Sequence, residues 1–453
     1  MNLYSLLRKR TAQEGPVRVG VIGAGKFSSM FLTQAVVTPE IHVVGVADLN
    51  VEKARASMRR TGWDEDRYSA GNLDEAARSG TTAVIEDSMS LIQHSAVEMV
   101  LEITGNPIVG VQHAVAAIEN GKHIVMVNVE ADSMVGPLLQ RRAEAAGVVY
   151  SMAYGDQPAL ISEMVDWCRT VGFDVVAAGK GTKYLPEYHF STPDTVWDHY
   201  GFTEEQLASG DYNPQMFNSF LDGTKSAIEM AAVANGTGLQ PQQDGLLFPP
   251  ASMEDLQDIL RPQELGGTLT RSGTVEIASS LHRDGSEVER NLRWGVYVTF
   301  EARTDYAVQC FAEYGVRTDE TGRIGSLYRP YHMIGLELGV SIASIAVRGE
   351  ATGAPTGFRG DVVTTAKRDL RAGETLDGEG GYTVFGKLRP ADYSLEKSAL
   401  PLGLAHGVKL VRDVPQGASV TWSDVAADEA LAAVRLRREL ESEFRAEYGI
   451  TIP

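Results

Sequence analysis

VRVGVIGAGKFSSMF, residues 17–31, reads as a β-branched strand, a glycine turn and the opening of a helix. The strand is Val17–Ile22. The helix is announced by Phe27, Met30, Phe31 and Ala35, apolar positions at helical spacing. A second apolar run, IHVVGVADLN, ends at Asp48 and completes a βαβ unit. Gly23 stands where the chain must turn tightly, and Gly25 where the backbone must approach something outside it. The turn opens a helix, so its amides form an anion site suited to a pyrophosphate. A third glycine usually follows in such a turn, for close helix–strand packing. Here Ser28 takes that place, the mildest replacement, and its hydroxyl can also donate to phosphate. The expected dinucleotide contacts are Gly23, Gly25, Lys26, Phe27 and Ser28.

Asp48 lies 25 residues after Gly23, at a strand end where a carboxylate can accept hydrogen bonds from an adenosine ribose. Such a carboxylate repels a 2′-phosphate and so favours NAD(H). Lys53, Arg55, Arg59 and Arg60 nearby leave NADP(H) open. The plainer reading is a surface aspartate. The alternation continues. AVEMVLEITGNP, KHIVMVNVEAD and VVYSMA read as strands, with helices VGVQHAVAAIENG and GPLLQRRAEAAG between them. Alternating strands and helices predict a doubly wound parallel sheet, which binds ligands at the carboxyl ends of its strands. That rule places Thr104, Gly105, Asn128 and Glu130 near a nicotinamide, with helix capping and turn chemistry as the alternative for each.

Composition narrows the partners. The chain has 453 residues, enough for two or three domains. Its 41 basic and 60 acidic residues give a net charge of −19, which argues against nucleic acid. A small anionic substrate needs only a few local cations. Cys168 and Cys310 are too few for a disulfide framework, no apolar run is long enough for a membrane span, and no signal peptide is evident. The expected location is the cytoplasm.

In the middle of the chain, FDVVAAGKGTK reads as a strand followed by a glycine-rich turn holding Lys180 and Lys183. A lysine beside a carbonyl can polarise or protonate its oxygen. Solvated loop lysines are the plainer reading. In DGTKSAIEMAAVANGTGL, helical spacing puts Lys225 and Glu229 on one side, with Asp222 just upstream. The three could form a proton-transfer or metal-binding cluster; a surface ion pair explains Lys225 and Glu229 equally well. Near the C-terminus, RDLRAGETL (from Arg368) and RDVPQGASV (from Arg412) repeat one pattern 44 residues apart, suggesting a small β unit of two similar halves.

Taken together, VGVIGAGKFSSMF, GKHIVMVNVEAD, AAGKGTK, DGTKSAIEMAAVANGTGL, YRPYHMIGLELGVSIA and TTAKRDLRAGETL resemble the homoserine-dehydrogenase-like oxidoreductases that carry a C-terminal SAF domain. Deoxyxylulose-phosphate-reductoisomerase-like enzymes form one branch. The resemblance spans nearly the whole chain. It implies an α/β protein with a Rossmann dinucleotide-binding domain over 1–152 and an α+β substrate and dimerisation domain over 153–348. The helix near 331–347 would be available to pack back on the first domain. A SAF-like β-clip module over 361–430 and a C-terminal helix over 431–453 complete the expected fold. A homodimer or homotetramer is implied as well. In the reductoisomerase-like branch it implies an NADPH-dependent rearrangement and reduction of a sugar phosphate, with magnesium or manganese. Lys180, Lys183, Asp222, Lys225, Glu229 and Arg329 stand in stretches that match the family's active-site segments. Two features depart: Asn128 is followed by Val129 and Glu130 where homoserine dehydrogenases carry a lysine, and Asp48 disfavours NADPH.

The expectation is therefore an NAD(P)-dependent oxidoreductase that moves hydride to or from a carbonyl or alcohol carbon of a small polar metabolite. Lys180, or else Lys225, would act on the oxygen, and Asp222 and Glu229 would position that lysine or hold a metal. A sugar or sugar phosphate with coupled isomerisation is one version, and a homoserine-type dehydrogenase another. A non-catalytic NAD(H)-binding regulator is the alternative of a different class.

Overall fold

The computed structural model describes residues 2–208 and 212–450. It divides into two compact units: the chain up to Leu160 together with His332–Thr356, and Ile161–Tyr331 together with the chain from Gly357 onward.

In the first unit, six strands form one sheet: β1 (Val17–Ile22), β2 (Ile41–Ala47), β3 (Ala83–Ile85), β4 (Met99–Glu102), β5 (His123–Met126) and β6 (Tyr150–Met152). Their order is β3-β2-β1-β4-β5-β6 and every pairing is parallel, the order of a Rossmann sheet. Helices cover both faces of such a sheet, so its strands are apolar on both sides, as Val19, Val21, Val43 and Val46 show. The helix Leu3–Glu14 buries Leu7 in this core with Leu3 beside it, while Leu6 turns out to solvent. The helix Gly339–Arg348 supplies Ile342, Ala343 and Ile345 to the same core, although these residues follow β6 by almost the length of a domain.

The second unit contains a mixed sheet of β7 (Asp174–Thr182), β8 (Thr274–Ser279), β9 (Val296–Glu301) and β10 (Ile324–Arg329), in the order β10-β9-β7-β8. The strands β7 and β8 run parallel, and the other pairs antiparallel. The strand β7 is longer than its sequence suggests. Gly179 and Gly181 do not form a turn but sit inside the strand, because neighbouring backbone presses on it. A Cβ at Gly179 would stand 1.8 Å from the Glu276 carbonyl oxygen, and one at Gly181 2.0 Å from that of Leu292.

The helix Thr224–Thr237 is buried almost all round, between β7 and β8 on one side and the C-terminal module on the other. That module holds β11 (Gly360–Ala366), β12 (Thr375–Asp377), β13 (Val384–Pro390), β14 (His406–Leu410) and β15 (Val425–Ala426). The strands β11 and β13 pair antiparallel, and β12, β14 and β15 form a second small sheet. The repeat is structural. Leu370 and Val414 exchange backbone hydrogen bonds of 2.8 and 2.9 Å. Asp369 accepts the Gln416 amide at 2.9 Å and Asp413 accepts the Ala372 amide at 2.8 Å, so the two halves hold each other through equivalent residues. The last helix, Ala432–Tyr448, is tied to β11 by Arg437, which is completely buried and forks between Asp361 and Glu441. Residues 451–453 of the expected C-terminal helix lie outside the described residues. Among the described residues no helix is long and apolar enough to cross a membrane.

Candidate active site

The first unit presents a cradle at the carboxyl end of β1. Gly23 has φ +101°, and a Cβ there would stand 2.9 Å from the Ile103 carbonyl oxygen, so only glycine makes this turn without strain. A Cβ at Gly25 would meet nothing within 4 Å. Gly25 begins the helix Lys26–Ala35, and no side chain caps it. Its first amides therefore offer an anion site. Lys26 is exposed and Phe27 partly buried. Ser28 is completely buried at the helix–strand contact that a third glycine would occupy, and its hydroxyl has no hydrogen-bond partner among the described residues. Asp48 has a structural role at this turn. Its Oδ2 accepts the Ala24 amide at 2.7 Å and its Oδ1 the Asn50 amide at 2.8 Å, which pins the glycine turn to the end of β2. Each carboxylate oxygen keeps a lone pair for a ligand hydroxyl. These features fit an adenine dinucleotide.

The ends of β4 and β5 are drawn together by polar side chains. Asn128 donates to Thr104 Oγ1 at 3.4 Å and to the Asn106 carbonyl at 2.9 Å, while its Oδ1 caps the helix Val129–Ala145. Glu130 lies buried in the first turn of that helix, and Gly105 is exposed with φ +69°. Behind them is a group the sequence reading missed. Glu102 is fully buried at the end of β4; its Oε1 accepts the Thr104 hydroxyl at 2.6 Å and lies 3.2 Å from His113 Nδ1. His113 Nε2 in turn lies 2.8 Å from the Ser88 hydroxyl. The available signal was a charged residue closing an otherwise apolar strand.

In the second unit, the sheet register sets Ile277, Lys180, Val296 and Arg329 in one row across β8, β7, β9 and β10. Residues paired in this way share a face, so Lys180 and Arg329 stand on the same side, roughly 10 Å apart by two strand spacings. The helix Thr224–Thr237 lies over this face and brings Glu229 to Lys180 in an ion pair. The two residues are only 6 and 5% exposed. Glu229 is the one partner of the Lys180 ammonium among the described residues. Lys183, at the end of the strand, donates to the His199 carbonyl at 2.5 Å, and burial, with Arg293 nearby, lowers its pKa.

The expected cluster of Asp222, Lys225 and Glu229 is corrected by this geometry. Glu229 faces the sheet and takes Lys180, not Lys225, and Lys225 lies 3.8 Å from Glu379. Asp222 pairs with Lys367 of the C-terminal module at 2.8 Å, both groups being buried. Burial raises the pKa of Asp222, and Lys367 opposes that shift. A helical spacing puts two residues on one face but does not make them partners when another element reaches one of them first. Among the described residues no group of three or more His, Cys, Asp or Glu side chains is placed to hold a metal ion.

Lys367 and His189 were not foreseen. Besides Asp222, the Lys367 ammonium donates to the carbonyls of Ser191 and Gly381, at 2.8 and 2.7 Å. His189 Nδ1 lies 2.7 Å from the Asp222 carbonyl, which can only accept, so the proton is on Nδ1. Its Nε2 then accepts the Tyr184 hydroxyl at 3.0 Å, and burial lowers the imidazole pKa to about 4, keeping the ring neutral.

Two family models match. Residues 17–127 match the GFO/IDH/MocA model, described as an oxidoreductase family with an NAD-binding Rossmann fold, and residues 155–338 match one described as oxidoreductase DRL, catalytic domain. No curated protein matches the sequence. Similar solved structures include a probable dehydrogenase from Thermotoga maritima, at 14% identity and TM-score 0.38, with 75% of this chain and 90% of that one covered. Scyllo-inositol dehydrogenase from Lactobacillus casei, solved with NAD(H) and scyllo-inositol, is 12% identical with TM-score 0.37, covering 75% of this chain and 92% of that one. KijD10, a 3-ketoreductase from Actinomadura kijaniata solved with NADP and TDP-benzene, is 16% identical with TM-score 0.26. That match covers 38% of this chain and 48% of KijD10.

Proposed function

We propose that this chain, an NAD(P)-dependent oxidoreductase by both family matches, reduces or forms a carbonyl on a small polar metabolite with Lys180 as the proton-bearing group. The observation that carries the reading is the unfinished hydrogen bonding of Lys180. An ammonium has three donors, and in this nearly buried site Glu229 takes one. Two donors remain for a substrate oxygen. The reduced nicotinamide, when bound, supplies a hydride to the carbonyl carbon. The proton that completes the alcohol comes from Lys180 Nζ, and Glu229 holds that nitrogen in place. In the oxidative direction the neutral amine takes the proton back. Arg329, on the same sheet face, is suited to orienting an anionic or carbonyl-bearing substrate. Asp48 favours NAD(H) over NADP(H), since a 2′-phosphate would meet its carboxylate.

A sugar or sugar phosphate substrate, with isomerisation coupled to reduction, is the finer form of this reading. The residues it would use, Lys180, Asp222, Lys225, Glu229 and Arg329, all fall within the span that matches the oxidoreductase DRL catalytic domain. The test is a screen of NADH and NADPH turnover against ketoses, sugar phosphates, aldehydes and homoserine, with and without magnesium or manganese, followed by Lys180→Met on the substrate found. An oxyanion-stabilising group contributes about 3 kcal/mol, so kcat should fall roughly 100-fold with dinucleotide affinity unchanged. The double variant Lys180→Met/Glu229→Gln removes the stranded carboxylate and should fold normally yet stay slow. Wild-type kcat in either variant removes Lys180 from the mechanism.

A further inference from the structure

Lys387 is a half-buried lysine whose ammonium has neither a hydrogen bond nor an ion pair among the described residues. It lies on β13, and a strand's side chains alternate, so Phe385, Lys387 and Arg389 share one face. The Phe385 ring stacks on His189 at 4.7 Å, so Lys387 stands about one side-chain repeat from that neutral imidazole. Arg389 is 8% exposed, its guanidinium lies 3.7 Å over the Tyr393 ring, and its Nε has no hydrogen-bond partner among the described residues. Two cations thus occupy successive positions on one face of a strand, in a chain whose net charge is −19.

The neighbouring carboxylates do not account for them. Asp361 lies directly across the ladder from Arg389, but its oxygens are taken by Arg437 and Ser394. Val363 is the residue opposite Lys387. Asp222 is committed to Lys367. Asp244 reaches Arg389 at 3.5 Å, but its side chain is 89% exposed and solvent screens the pair. The turn carrying Asp244 is built around the lysine: Gly245 has φ +95°, and a Cβ there would stand 2.9 Å from Lys387 Cε. Burial and the charge of Arg389 lower the Lys387 pKa, and the exposed Asp244 opposes that shift without cancelling it.

The geometry points to an oxyanion site on this strand face, in which Lys387 and Arg389 bind a phosphate group. The planar guanidinium gives a directional fork and the lysine a mobile point charge. The phosphate can belong to a sugar phosphate or arrive as free inorganic phosphate, and both present the same oxygens. The inference rests on the second unit alone and does not depend on the role of Lys180.

The experiment is a calorimetric titration of the full-length protein with inorganic phosphate, ribose 5-phosphate and ribose, with NAD⁺ saturating so that the glycine turn does not compete. Phosphate is expected to bind, and Lys387→Met, which keeps the stem, should weaken it at least 10-fold. Lys387→Arg should restore most of the affinity. Ribose 5-phosphate binding more than 10-fold tighter than phosphate, with ribose not binding, supports a phosphate carried by a sugar. Equal affinities support a free ion. No phosphate binding at millimolar concentration, or unchanged binding in Lys387→Met, overturns the site. Melting temperature in each variant separates loss of fold from loss of ligand. Because the readout is binding, a failed Lys180 experiment leaves this one standing, and the reverse also holds.

Discussion

Two buried lysine–carboxylate pairs lie against the helix Thr224–Thr237, and they differ in one respect. The Lys367 ammonium meets three oxygens: it donates to the carbonyls of Ser191 and Gly381 and forms an ion pair with Asp222 at 2.8 Å. The Lys180 ammonium meets one, on Glu229. Both side chains are nearly inaccessible and both carboxylates face a cation, so burial and pairing alone do not tell them apart. The remaining donors do. A saturated ammonium is a staple joining three segments, whereas one with donors in hand is placed for a ligand.

The largest effect expected from this contrast is on stability. Lys367→Met strands a buried carboxylate and two carbonyls, and breaking a buried pair costs roughly 3–5 kcal/mol. Adding Asp222→Asn should recover only part of this in urea unfolding, because the carbonyls of Ser191 and Gly381 stay unpartnered. Lys180→Met should be rescued almost completely by Glu229→Gln, since that pair has no third member. Equal rescue in the two cases would erase the distinction between a saturated ammonium and one with donors to spare.

How far the sequence reached follows the same division between local and distant contacts. The glycine turn, its helix and Asp48 were legible because one contiguous stretch sets them. The lysine of β7 was found but misplaced: Gly179 and Gly181 looked like turn residues, and only the Glu276 and Leu292 carbonyls explain why glycine is needed inside a strand. The strand β3 was missed because a run of Ala83, Val84 and Ile85 is too short to show a period. Pairings were the least legible. Glu229 meets a lysine 49 residues away and not the one a turn away, and nothing in either segment's spacing encodes that. The repeat containing Asp369 and Asp413 was visible, but the hydrogen bonds by which each half holds the other were not.

Another buried carboxylate extends the comparison to a case with no cation against it among the described residues. Asp132 is 2% exposed, receives the Tyr150 hydroxyl at 2.7 Å and leaves Oδ2 unpartnered. Burial raises its pKa to about 7. Glu276, held by the amides of Leu247, Phe248 and Ile277, is likewise raised to about 7 by burial. A carboxyl whose folded pKa exceeds its unfolded value binds its proton more tightly in the folded state. Its contribution is therefore complete below the unfolded pKa, near pH 4, and is lost as pH rises through about 7. Asp132→Asn keeps an acceptor for Tyr150 and should remove roughly 3 kcal/mol of this decline between pH 4 and 7, leaving the part due to Glu276. An unchanged slope in pH-dependent unfolding would mean that Asp132 is ionised in the fold and has found a partner.

The smallest expected change in stability separates the two glycines of the opening turn. Gly23→Ala forces a side chain into φ +101° against the Ile103 carbonyl and should destabilise the first unit by about 1–3 kcal/mol. Gly25→Ala places its methyl in open space at φ −76°, a conformation alanine adopts freely, so stability should change by less than about 1 kcal/mol. The cost of Gly25→Ala lies in the ligand. That open space is where a pyrophosphate would approach the uncapped helix, so NADH affinity by fluorescence titration should drop on the order of 10-fold while the melting curve stays in place. If Gly25→Ala binds NADH as tightly as the wild type, the diphosphate does not lie against this turn, and Asp48 is left as a residue that pins a loop.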